Sequence, residues 1–276
     1  MKNSKNILFF FIVIGVISLF SCQKVIDVDL NEAASRLVIE GNITPEPGGR
    51  NQVLLSTSGG YFDNSAVQPV ENGIVKITDE YGNSEFLEEF LPGTYYSHTL
   101  VGTVDTEYSI EVIVDGQVYT GSDYLPPVVP IDSLYYEIDD FTGPGDEEEG
   151  DRYNILLTLS DPIDRENYYR IVTYINGDLV YGGFNPYRVI DDELINGLTF
   201  TLTIRGTEIV FEDTVVVELQ SIGFNTYEYF STLNDALSGG GLGSTPYNPI
   251  TNLDNGAVGY FGAYSVSKDT VIIDEQ

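Results

Sequence analysis

Tryptophan is absent from the 276 residues, and cysteine, histidine and methionine occur once each. A single thiol forbids an intramolecular disulfide, and one thiol with one imidazole is too few for a zinc-type ligand set. Positive charge is scarce as well: 12 Lys plus Arg stand against 43 Asp plus Glu, for a formal net charge of -31. A polyanion is held by clustered cations, so nucleic acid is excluded as a partner. The one imidazole, His98, lies in Tyr95-Tyr96-Ser97-His98-Thr99, and no G-x-S-x-G turn accompanies it. Nucleophile-and-imidazole chemistry is therefore not expected. A Gly-rich phosphate loop with its Lys is also missing, and no cofactor is expected.

What is present is a globular composition rich in strand formers. Hydrophobic residues make up 42% and charged residues 20%, with 20 Tyr and 14 Phe. That is enough apolar matter for a core, and the aromatic share favours strands over helices. The length fits one large β domain or two ordinary ones.

Lys2 and Lys5 precede an apolar run over residues 7–20, which ends at Ser21-Cys22. About 18 apolar residues are needed to cross a bilayer, so this run has the length of a signal-peptide core. The order Leu19-Phe20-Ser21-Cys22 resembles the lipobox of bacterial lipoproteins. The resemblance implies a signal peptide over 1–21 and a Cys22 whose thiol is alkylated by diacylglycerol, with palmitate-type chains, and which becomes the new N-terminus after cleavage. The competing reading is an uncleaved signal anchor. Two or three acyl chains, at about 0.8 kcal/mol per buried methylene, hold a protein stably on a membrane. Cleavage would remove two lysines and no acid, leaving a body that anionic headgroups repel. It is expected to stand off the outer membrane on its lipid. Gln23-Lys24 resembles the start of a surface-export signal, but Val25 and Ile26 follow where acids would be expected, so cell surface and periplasmic face both stay open.

Residues 22–36 read as a tether with a first short strand, where Ile26, Val28 and Leu30 alternate with Asp27 and Asp29. Alternating runs then follow at 37–43, 52–56, 73–78, 84–90, 94–99, 107–114 and 117–124. Asp115-Gly116 between the last two is a tight-hairpin signal. Seven short strands over 37–125 predict an immunoglobulin-like β-sandwich, without its disulfide or Trp. Pro126, Pro127 and Pro130 make 126–130 a stiff connector. Residues 131–276 read as a second β-rich domain, with strands at 133–139, 153–159, 168–175, 198–205 and 208–220, an Asn176-Gly177 hairpin, and a final pair near 258–266 and 270–273.

One amphipathic helix is predicted near 225–238. Asn225 and Glu228 form a variant capping box, and Tyr227, Phe230, Leu233 and Leu237 share a face that reads as core. The acidic stretch Asp146-Glu147-Glu148-Glu149, with Asp151, reads as a solvated loop rather than a divalent-cation site.

Several stretches together resemble the Bacteroidota lipoproteins that carry domain of unknown function 4249. They are Val28-Asp29-Leu30, Leu37-Val38-Ile39-Glu40-Gly41, Tyr61-Phe62, Ile131-Asp132-Ser133-Leu134, the run from Asp191 to Gly197, and the run from Asn255 to Phe261. The resemblance implies an accessory lipoprotein paired with a TonB-dependent outer-membrane receptor. It carries over no catalytic residue. Three triplets, beginning at Asp132, Asp213 and Asp269, also resemble the O-glycosylation acceptor motif of exported proteins of that phylum, which would place glycans on Ser133, Thr214 and Thr270.

The leading expectation is thus an outer-membrane-anchored accessory of a TonB-dependent transporter that binds a glycan, a peptide or transporter loops without catalysis. Loop aromatics are the candidate contacts, because a ring with a polar tip suits sugar and peptide surfaces alike: Tyr61, Phe62, Phe184, Tyr187 and Tyr247. For Phe62 and Phe184 ordinary packing is the simpler reading. The alternatives are a structural or adhesion envelope lipoprotein, and a glycoside hydrolase working through two carboxyls about 5–9.5 Å apart.

Overall fold

The computed structural model describes residues 35–46, 51–59, 67–138, 152–181, 186–204, 208–238 and 248–274. The first part of the chain gives β1 (Leu37–Ile43), β2 (Gln52–Thr57), β3 (Gln68–Pro69), β4 (Ile74–Asp79) and β5 (Ser84–Phe86). It continues with β6 (Glu88–Leu91), β7 (Thr94–Tyr96), β8 (Thr106–Val114) and β9 (Gln117–Leu125). Next come β10 (Ile131–Ile138), β11 (Tyr153–Ser160), β12 (Tyr168–Ile175), β13 (Asp178–Val180), β14 (Val189–Asp191) and β15 (Thr199–Ile204). The last elements are β16 (Thr214–Ile222), the helix α1 (Phe224–Ser238) and β17 (Val258–Ile272). The protein is mainly β, with one helix among the described residues.

A ten-stranded sheet carries the architecture, in the order β13-β12-β16-β17-β1-β2-β7-β6, with β14 on β12 and β3 on β2. Its keystone is β17, which pairs with β1 in parallel from Val258 to Ala263 and with β16 antiparallel from Tyr264 to Ile272. Odd-numbered residues of β17 face the cores. Phe261 and Ala263 join one hydrophobic cluster with Ile39, Val53 and Tyr95 of the large sheet and Ile77, Ile110 and Val112 of the four-stranded sheet β5-β4-β8-β9. Further along, Val271 packs on a second cluster, where Tyr169, Ile171, Val217 and Leu219 meet Ile155, Leu157 and Ile204 of the three-stranded sheet β10-β11-β15. Two smaller sheets therefore lie on one face of the large one, each over its own core. Alternation dictates this: in β1 the odd positions 37, 39, 41 and 43 are buried and 38, 40 and 42 are not.

The segment 126–130 passes between the two cores, yet it does not separate two independent domains. Ser35–Gln276 forms one compact unit. Val129 is fully buried, its N–H donates to Ser221 Oγ (3.1 Å), and the Ile131 N–H donates to Ser267 Oγ (3.0 Å). The prolines lack N–H groups, and serines on β16 and β17 take those of Val129 and Ile131. Residues 131–276 are not self-contained either, because Leu253, Ala257, Phe261 and Ala263 fill the first core.

Three further expectations are corrected. The run 84–90 is two strands in two sheets: β5 pairs with β4 and β6 with β7, and buried Leu87 marks the crossing. The expected last pair of strands is one continuous β17. Leu237, expected on the packed face of the helix, is 59% exposed. The Asp115-Gly116 and Asn176-Gly177 turns do have positive φ at both central residues (50° and 77°, 52° and 93°), as a type I′ hairpin requires.

Crossing between sheets leaves the loop after β7 in need of an anchor, and Glu85 supplies it. Its carboxylate accepts from the amides of His98 (2.7 Å) and Leu100 (2.5 Å) and from Ser97 Oγ (2.8 Å). Partial burial works to raise its pKa, but these bonds outweigh it and hold the carboxyl at about 2, below its ordinary 4.5. The stabilisation is complete above the ordinary value and is lost as pH falls through the lowered one. Glu85→Gln is expected to speed hydrogen exchange at the Leu100 amide at pH 7, while protection of the wild-type amide decays only between about pH 4.5 and 2.

Candidate functional site

On the even-numbered face of β17, opposite the two cores, lies α1. It approaches because Gly262 has no side chain: a Cβ there would sit 2.6 Å from Thr226 Oγ1. Its N-terminus is held by Asp123 of β9 rather than by the expected Asn225–Glu228 box. The Asp123 carboxylate accepts from Thr226 Oγ1 (2.5 Å), from the amide of Asn225 and from the Ala263 amide (3.1 Å). Asn225 Nδ2 instead donates to the Ser122 carbonyl (3.0 Å). Burial pushes the Asp123 carboxyl up to about 7, against the pull of those hydrogen bonds.

Fixed in this way, α1 lays a row of rings over the sheet. Phe230 stands 4.9 Å from Tyr260 and 5.1 Å from Tyr187, centroid to centroid, and Tyr229 stacks on Tyr260 at 4.8 Å. Tyr181 meets Tyr187 edge-on at 5.7 Å. The loop bearing Tyr187 is tied to the helix by its amide, which donates to Asn234 Oδ1 (3.3 Å). Into this cluster β12 sends Arg170. The centre of its guanidinium lies 4.1 Å from the Phe230 centroid and 6.0 Å from that of Tyr187, within cation–π range, and it hydrogen-bonds Tyr260. Burial raises the hydroxyl pKa of Tyr187, Tyr229 and Tyr260, and the negative charge of Glu40 adds to the rise at all three. These hydroxyls remain protonated donors at neutral pH.

The register places further polar groups on the same face. Arg170 is directly opposite Gln220, and Asn42 of β1 is the partner of Gly262. Arg170 Nε, Gln220 Oε1 and Asn42 Oδ1 are buried with no hydrogen-bond partner among the described residues. Gln220 Nε2 donates to Glu218 Oε2 (3.1 Å), which fixes the amide with its oxygen on the unpaired side. Glu218 in turn takes a bond from Lys268 (3.1 Å). The arrangement can stack against a ring face and exchange hydrogen bonds. Among the described residues no group of three or more His, Cys, Asp or Glu is placed to hold a metal ion.

Of the sequence candidates, Tyr187 falls in this cluster. Cys22, Tyr61, Phe62, Phe184, Tyr247 and the acidic loop 146–151 lie outside the described residues. Ser133 and Thr270 are exposed on β10 and β17, and Thr214 is half-buried at the start of β16. His98 follows β7 and bonds Glu88 Oε2 at 2.9 Å on the surface. Arg170, Gln220 and Tyr260 were not anticipated. Their signal is a charge or an amide inside an otherwise apolar strand, as in Tyr-Tyr-Arg-Ile-Val and Val-Glu-Leu-Gln-Ser-Ile.

The family described as Domain of unknown function (DUF4249) matches residues 23–270. The chain belongs to this family. No curated protein matches it. Family membership thus spans both cores, α1 and almost all of β17, and it assigns no reaction to the Arg170 site.

Proposed function

We propose that this DUF4249 chain is a lipid-anchored accessory protein of the Bacteroidota outer membrane, held by acylated Cys22 and serving a TonB-dependent transporter by binding ligand or transporter loops without catalysis. The observation that carries the reading is the Arg170 site: rings and a guanidinium under one helix, with unpaired amide oxygens on the same sheet face, an arrangement for recognition rather than bond breaking. The lipobox-like Leu19-Phe20-Ser21-Cys22 supports the anchor, and the family match begins one residue later. As part of the same proposal, residues 37–125 are an immunoglobulin-like module in which β5-β4-β8-β9 faces β1-β2-β7-β6 across the first core.

A second reading, a structural or adhesion lipoprotein, draws on the rim of that module. There Phe86 and Phe90, 64% and 77% exposed, stand on edge strands of the two sheets. Purification of the full lipid-bearing chain in mild detergent is expected to bring down a stoichiometric β-barrel receptor, and its repeated absence overturns the transporter reading. Intact mass of the same preparation is expected to show loss of residues 1–21 with acyl chains on Cys22, and it reads any glycan on Ser133, Thr214 or Thr270 at once.

A further inference from the structure

We propose that the Arg170 site takes a neutral carbohydrate, with a sugar hydroxyl bridging Arg170 Nε and Gln220 Oε1 while the ring lies against the partly exposed Tyr187 and Tyr260 aromatics. This rests on the reading of the cluster as a ligand site and specifies its chemistry.

Gln220 is 5% exposed, and its Oε1 and Arg170 Nε are cross-strand neighbours on one face of the sheet, both buried and both unpartnered among the described residues. A buried polar atom without a partner costs about 1–3 kcal/mol, so two left open on directly opposed residues mark a place for a polar group to enter. One atom is a donor and the other an acceptor. A carboxylate would satisfy the guanidinium but repel the amide oxygen, and Asn42 Oδ1 beyond it on the same face presents a second unpaired acceptor. An ammonium would suit the two oxygens and be repelled by Arg170. A hydroxyl group accepts from Nε–H and donates to Oε1 through one atom, and a molecule bearing several hydroxyls also serves Asn42.

The long-range field agrees. A net charge of -31 slows the approach of any anion and leaves a neutral ligand indifferent. Stacking completes the case, because a sugar ring presents an apolar C–H face with hydroxyls at its edge. Tyr187 and Tyr260 are partly exposed, and Tyr181 at the margin is 53% exposed, so ring surface is available beside the Arg170 guanidinium.

The test uses the full acylated chain in a polyoxyethylene detergent, since glycosidic detergents would compete. Maltohexaose, cellohexaose, mannohexaose, chitohexaose and sialyllactose are the probes, with saturation-transfer NMR as the readout. Binding of at least one neutral oligosaccharide is expected, with sialyllactose weaker. Arg170→Lys and Gln220→Leu are expected to weaken that binding at least 10-fold. Tyr181→Ala, at an exposed position that leaves folding intact, is expected to weaken it several-fold. Preference for the acidic probe, or neutral binding that survives all three substitutions, overturns the proposal. So does silence toward every probe at millimolar concentration with only the melting temperature altered by Arg170→Lys and Gln220→Leu, which would mean that a trapped water fills the place. Any of these results leaves recovery of a β-barrel partner unaffected, so failure of the sugar site and failure of the transporter reading are read separately.

Discussion

Between about pH 4 and pH 7 the wild-type chain is expected to lose stability that an Asp123→Asn variant keeps. Asp123 is sealed beneath α1, its ordinary pKa is 3.8, and burial raises it to about 7 in the folded chain. The folded state therefore binds the proton more tightly than the unfolded one. The resulting stabilisation is full below pH 3.8, falls as pH rises and is gone once the folded carboxyl ionises near 7. A shift of this size corresponds to roughly 4 kcal/mol at about 1.4 kcal/mol per pKa unit. Asparagine has nothing to ionise, so urea midpoints of the variant should lie below wild type at pH 4 and approach or exceed it at pH 8. Equal slopes for the two proteins would show that Asp123 is not the titrating group. Asp123→Ala should be worse than either at pH 7, since it strands the Thr226 hydroxyl and the Ala263 amide in the interior.

Gly259→Ala is expected to destabilise by at least about 3 kcal/mol, enough to threaten folding of so finely balanced a polymer. Gly259 sits in β17 at φ 97°, opposite Ile39 in the parallel ladder with β1, and a Cβ would lie 2.1 Å from the Ile39 carbonyl oxygen. Two costs add: the left-handed backbone and a collision with main chain that cannot swing aside. Gly256→Ala is the internal control. It shares a positive φ of 79° but meets nothing within 4 Å, so only the backbone strain of about 1 kcal/mol applies. Chemical denaturation of both variants compares them directly. Similar losses at the two positions would show that the β1–β17 seam does not depend on the missing side chain.

Strands set by local forces are legible in the sequence, and strands set by distant partners are not. β1 and β12 were legible to the residue, because alternation or a bounded run of β-branched and aromatic residues defines them, and the Asp-Gly and Asn-Gly hairpins followed from backbone sterics. The run 84–90 also alternates, and nothing within it says that its halves join different sheets. That is decided by long-range pairing, Phe86 with Lys76 of β4 and Glu88 with Tyr96 of β7. The helix was found by its 3.6-residue stripe, but its cap was misassigned, since Asp123 lies 103 residues before Thr226 in sequence. The Arg170 site was half visible. Tyr187 stood out as a loop aromatic, whereas Arg170 and Gln220 became partners through a cross-strand register that no local motif encodes.

By itself the sequence determined the class of the protein: a strongly acidic, strand-rich chain with a lipobox-like start, a rigid Pro segment, tight hairpins and one amphipathic helix. These follow from composition, periodicity and steric rules that act over a few residues. Only the tertiary structure decided that β17 serves two cores, that the Pro segment is docked across serines rather than free, and that Arg170 Nε and the Gln220 amide oxygen are left unpaired on the sheet face that carries a row of rings. Each of those depends on long-range strand pairing, where contacts between distant residues fix which side chains share a face.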